Sequence, residues 1–125
     1  MPDRYIRVIA QAEGLHHWAE APVPEEYLRQ PHRHLFTVAV RMQVHHGDRE
    51  VEINAFTRWL EHDVLPSLAV AAQPGRPPDF GPQSCEQLAE RITEMIQARC
   101  GTGRWVECEV LEDGILGGGI RCAAR

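Results

Sequence analysis

Nowhere does this sequence carry eighteen consecutive apolar residues, so no segment has the length of a membrane-spanning helix. It opens Met1-Pro2-Asp3-Arg4 with no apolar stretch behind, which is unlike a signal peptide and places the protein in the cytoplasm by expectation. Cysteine pairing is missing too. Cys85, Cys100, Cys108 and Cys122 contain no CxxC or other tight metal spacing, so in a reducing compartment they are expected as free thiols, mostly small core residues. Basic charge is in deficit: 13 Lys and Arg stand against 18 Asp and Glu, a net charge of −5. That balance argues against nucleic acid or an anionic membrane as main partner and leaves a small ligand or a protein. There is no internal repeat, and Gly117-Gly118-Gly119 lacks the spacing of a phosphate cradle. A chain of 125 residues is read as one domain spanning 1–125, large enough for a core and near the size at which oligomerisation often completes it.

Histidine is what the sequence has in excess, with 7 in the chain, as His16-His17, His32 with His34, His45-His46 and His62. Residues 32–45 read as a strand. Alternation then puts His32, His34, Phe36, Val38, Val40 and Met42 on one face, and Arg33, Thr37, Arg41 and Gln43 on the other. Two imidazoles therefore crown an apolar stripe. Residues 5–13 read as an earlier strand with Ile6, Val8, Ala10 and Ala12 alternating inward; the same parity carried past Gly14 reaches His16. Between the two strands, residues 19–26 are rich in Pro, Ala and Glu, an excursion of the length that often carries function.

The turn signal His46-Gly47-Asp48 ends the second strand, and residues 50–53 are expected as a short extension of it. Asn54 is the expected N-cap of a helix carrying Phe56, Trp59, Leu60 and Val64, which Pro66 should stop or kink. His62 lies off that stripe. Residues 73–83, dense in Pro and Gly, form an irregular connector. Ser84 and Gln87 fit a capping box that opens a second helix, whose apolar face is Cys85, Leu88, Ala89, Ile92, Met95 and Ile96. A third strand over 105–112 ends its apolar stripe on Glu112, and a short last strand surrounds 120–122. The order is ββααββ.

Because the chain reverses between the first two strands, His16 can meet His32 and His34 at one rim. Three neutral histidines with a fourth position open is the donor set of a reactive zinc rather than a structural one. His17 competes with His16 for the first place, although parity sends it to the opposite face of an unbroken strand.

These residues also carry a family resemblance. The run Gly14-Leu15-His16-His17-Trp18, then His32-Arg33-His34 with Phe36, Leu60-Glu61-His62, Ser84-Cys85-Glu86-Gln87-Leu88-Ala89 and Val110-Leu111-Glu112 resembles the 6-pyruvoyl tetrahydropterin synthase and 6-carboxytetrahydropterin synthase family over nearly the whole chain. The resemblance implies an α+β tunnelling fold, a four-stranded antiparallel sheet with two helices on one face. It implies homo-oligomers, trimers or hexamers closed into a barrel, with sites between subunits. It implies Zn2+ on His16, His32 and His34, proton transfer by His62 supported by Glu61, and a pterin-like small molecule held by Glu112 beside Ser84 and Cys85. The implied activity is a zinc-dependent lyase or synthase acting on a dihydroneopterin-triphosphate-like substrate, with a zinc- and pterin-binding protein without catalysis as the alternative. The chain departs from the family where Leu28 stands in place of the catalytic cysteine, Arg33 in place of the glycine between the paired histidines, and Glu61 in place of an aspartate.

Overall fold

A computed structural model describes residues 2–125. Four strands, β1 (Arg4–His16), β2 (His32–Val44), β3 (Val106–Glu112) and β4 (Leu116–Cys122), form an antiparallel sheet in the order β1-β2-β3-β4. Helix α1 opens at Ile53–Trp59, widens to π geometry over Leu60–Val64 and closes at Leu65–Ser67; helix α2 is Cys85–Cys100. This is the expected α+β architecture of four antiparallel strands and two helices. None of the helices described is long and apolar enough to cross a membrane.

Strand alternation and helix periodicity meet in one core. Val8 and Ala10 of β1, Phe36, Val38, Val40 and Met42 of β2, and Val106, Cys108 and Val110 of β3 are buried in a single cluster. Leu88, Ala89, Ile92 and Ile96 of α2, with Phe56, Leu60 and Val64 of α1, belong to the same cluster. Burying each large side chain there contributes about 1.5–3 kcal/mol relative to exposure. The opposite sheet face is uncovered, and a concavity of about 610 Å³ on it is lined by Arg7, Arg41, Glu107 and Arg121. Glu107 pairs there with both Arg41 and Arg121.

The register places the ends of the strands. Gly14 faces His34 and His16 faces His32, so β1 continues straight through the glycine to its histidine. Phe36 faces Glu112, which brings the end of β3 to the same rim. Gly14 is required by a close approach: a Cβ there would lie 2.3 Å from the Phe80 ring, which packs edge-on against Phe36. The connector 73–83 is irregular, as expected, yet docked. Leu15 N–H donates to Pro78 O, Phe80 N–H to Leu15 O, and His17 N–H to Gly81 O.

Several local expectations are corrected. The cap of α1 is Glu52, not Asn54: its carboxylate accepts from the N–H groups of Asn54 (2.5 Å) and Ala55 (3.2 Å), two donors the first turn leaves free. Residues 50–53 do not extend a strand, because Glu50 turns back to accept from His45 N–H and from Arg104 Nη2 at 2.8 Å. Pro66, by contrast, acts as expected. It has no N–H to give the preceding turn, just before it Leu65 N–H reaches Leu60 O in the wider π spacing, and the helix ends at Ser67, so the expected distortion and stop are both found at the proline. Strand β4 begins at Leu116, so all three glycines are strand residues rather than a lead-in; a Cβ on Gly117 would meet Val110 O at 1.9 Å.

The backbone donor of His45 and the Arg104 guanidinium pull the Glu50 carboxyl down to about 2. A carboxyl depressed in the fold stabilises above its unfolded value, near 4.5, and that contribution is lost as pH falls through the folded one. Glu50→Gln is therefore expected to cost about 1–2 kcal/mol at pH 7, discounted for access to water. The variant should also lose less stability than the wild type between pH 5 and pH 3, which denaturant melts at the two pH values measure.

Candidate metal centre

His16, His32 and His34 come together at the rim where β1 ends and β2 begins, each offering one ring nitrogen within 4.8 Å of the others, a group able to hold a metal ion. Their ring centroids are 4.5 Å (His16 to His32), 5.0 Å (His32 to His34) and 5.2 Å (His16 to His34) apart, all edge-on.

The outer nitrogens explain why the inner ones converge. His16 Nδ1 lies 3.2 Å from Gln83 O, His32 Nδ1 2.9 Å from Gln30 O, and His34 Nδ1 2.7 Å from Asp113 Oδ2. A carbonyl or carboxylate oxygen only accepts, so each Nδ1 carries the proton and each Nε2 keeps its lone pair for the centre. This is the outer hydrogen-bonding pattern that orients imidazole ligands on a metal. His16 is 8% exposed, and burial is the largest influence lowering its pKa, ahead of the opposing pull of Gln83 and Glu112, so the neutral ligating form is favoured.

Glu112 closes the inner side. Its Oε1 lies 3.2 Å from His16 Nε2 and its Oε2 3.3 Å from His34 Nε2, but neither contact has hydrogen-bond geometry. Both Nε2 atoms are therefore buried polar atoms without a partner, a costly arrangement that an ion among them relieves. Cys85, the first residue of α2, donates its thiol to Glu112 Oε1 at 3.7 Å. Burial first, and the neighbouring carboxylate second, push that thiol up to about 12, so it stays protonated and serves as a donor rather than a base.

A cavity of about 530 Å³ opens from the centre and takes in His16, His32, Ser84, Cys85 and Glu112, five of the residues singled out in the sequence. Ser84 Oγ accepts from Gln87 N–H in the expected capping box, which leaves the hydroxyl proton free to donate. Leu28 lines the same cavity. Glu61 and His62 are not brought there within one chain. Glu61 accepts from Gln11 N–H at 3.2 Å on the outer edge of β1, and His62 is exposed.

No family model matches the sequence, and no curated protein matches it. Among solved structures, the crystal structure of uncharacterized protein WS1659 from Wolinella succinogenes is similar, with a TM-score of 0.60 over 100% of both chains at 14% identity. That likeness shows the fold.

Three features of the centre were not read from the sequence. Asp113, in the turn after β3, has φ 55 and uses both carboxylate oxygens, one on His34 and one on Leu35 N–H, which lower its pKa. Its local signal is the Asp113-Gly114 turn, which marks the end of β3 and says nothing of a partner on β2. Gln30 and Gln83 act through backbone carbonyls, which leave no mark on residue identity. His17 lies beyond the last β1 residue, so strand parity no longer governs it, and it lines the cavity without joining the ligating set. Asp113→Asn, which tolerates the left-handed backbone, is expected to weaken metal binding about 10–100-fold through its hold on His34, measurable by competition with a chromophoric chelator.

Proposed function

We propose that this chain is a zinc protein of the tunnelling-fold type that takes a pterin-like heterocycle, related to the 6-pyruvoyl tetrahydropterin synthase lyases. The observation that carries the reading is the outer hydrogen bonding of all three imidazoles, which leaves the buried Nε2 atoms of His16 and His34 orphaned beside Glu112, with His32 in the same metal-competent group. The donor set fits zinc, which prefers imidazole nitrogen in sites that keep a position open. When bound, zinc supplies a Lewis acid that polarises a ligand oxygen and acidifies the bonds beside it.

The chain's own residues provide the rest. Glu112 can accept two parallel hydrogen bonds from the amino and ring nitrogens of a pterin, fixing its orientation. Cys85 holds one Glu112 oxygen, and Ser84 has a free hydroxyl proton at the cavity wall. His62, backed by Glu61, acts as the acid/base when a neighbouring copy presents it, since each lies outside its own chain's cavity. Such copies would join sheet edge to sheet edge into a barrel of three or six, covering the free edges of β1 and β4.

A second reading, a zinc- and heterocycle-binding protein without turnover, is favoured by one observation: an apolar Leu28 lines the cavity where the family keeps a thiol. Incubating the zinc-loaded protein with 7,8-dihydroneopterin, with and without its triphosphate, followed by product analysis, separates the two. A new product supports the lyase, and its loss in His62→Ala supports the relay. Ligand bound but unchanged supports the binding protein, and no ligand bound contradicts the proposal.

A further inference from the structure

We infer that Arg91 and the side chain of Gln83 are positioning residues for the metal centre: together they fix the backbone carbonyl that orients His16. The inference rests on the metal reading above and extends it to residues outside the ligand set.

An imidazole ligand keeps its direction through the hydrogen bond on its outer nitrogen, and for His16 that bond ends on Gln83 O at 3.2 Å. The oxygen lies at the end of the connector 73–83, which is dense in Pro and Gly and belongs to no helix or named strand. Backbone hydrogen bonds to Leu15 and His17 secure the connector as far as Gly81. The step from Gly81 to the carbonyl needs another anchor.

The Gln83 amide is that anchor. Its Nε2 donates to Phe80 O at 2.8 Å and to Leu68 O at 3.0 Å, and its Oε1 accepts from Arg91 Nη1 at 2.6 Å. Carbonyls only accept and a guanidinium only donates, so the amide has one orientation. The clamp ties the connector to the end of α1 at Leu68 and to α2 at Arg91. Helix α2 thus serves the centre twice, through Cys85 on Glu112 and through Arg91 on Gln83. Arg91 is exposed, so truncating it opens no cavity in the core.

The test measures zinc affinity by competition with a chromophoric chelator, and the visible bands of the cobalt(II)-loaded protein, on full-length variants. Loss of a direct outer partner weakens a site roughly 10–100-fold, and Arg91→Met, acting one residue further out, is expected to weaken it about 3–10-fold. Arg91→Lys, which keeps a charged donor, should recover most of that loss. Gln83→Met should weaken binding at least as much as Arg91→Met, and combining the two should add nothing further, because both act on one carbonyl. Arg91→Met combined with Asp113→Asn should multiply instead, since those act on different imidazoles. The cobalt bands should shift in Arg91→Met while its metal-free melting temperature stays close to that of the wild type. Unchanged affinity and bands in Arg91→Met, with the wild type loaded, overturn the inference and leave the metal reading standing. A lowered metal-free melting temperature with unchanged bands makes Arg91 a helix-docking residue and overturns it as well. Wild-type protein that takes up neither zinc nor cobalt overturns both.

Discussion

If the proposed centre binds zinc, a His32→Ala protein purified in parallel with the wild type is expected to hold none where the wild type holds one equivalent. Removing an outer hydrogen-bond partner of a metal ligand costs roughly 10–100-fold in affinity, and removing the ligand itself should cost more than that. His32 suits the test because its ring is only partly buried, whereas His16 is 8% exposed and its loss would mix metal binding with packing. The variant's melting temperature without metal should therefore stay close to that of the metal-free wild type. Zinc should stabilise the wild type and leave the variant unmoved, because an ion that binds only the folded state raises its stability in proportion to its affinity. Elemental analysis after dialysis, paired with melts in the presence and absence of zinc, gives both readouts.

Glu112→Gln should cost ligand affinity instead. The carboxylate offers only acceptors, while an amide presents one acceptor and one donor, and that donor would face a donor on the heterocycle. Losing one charge-assisted hydrogen bond and leaving its partner unpaired is expected to weaken ligand binding about 10–100-fold. The three imidazoles and their Nδ1 partners are untouched, so zinc should remain at stoichiometric loading. Ligand titrations on the zinc-loaded variant measure this, and unchanged affinity would remove Glu112 as the anchor. A loss of zinc with the ligand would instead make Glu112 part of the metal site, a role its contacts with His16 and His34 make worth separating.

The strands and their inward residues were legible because alternation is set by the backbone itself. His16, His32 and His34 followed from parity alone, and the β1–β2 register brought them together as that parity required. The second helix was legible for a related reason, since its capping box and its apolar face are both local patterns. What escaped was non-local or lay in the main chain. Asp113 reaches His34 across 79 residues, and only the folded register of β2 against β3 makes them neighbours. The carbonyls of Gln30 and Gln83 belong to the backbone, so no side chain announces them. Glu52 takes the cap in place of Asn54 because its side chain returns to two N–H groups of the first turn. Glu61 and His62 were legible only through resemblance, and a single chain does not carry them to the cavity.

X-ray absorption at the zinc edge, on wild-type protein expressed with zinc and dialysed to constant metal content, tests the metal centre most directly. The proposed function predicts one zinc per chain with three imidazole nitrogens at about 2.0–2.1 Å, one further light-atom ligand and no sulfur. Protein that holds no zinc, or zinc with a sulfur neighbour at about 2.3 Å, would contradict it.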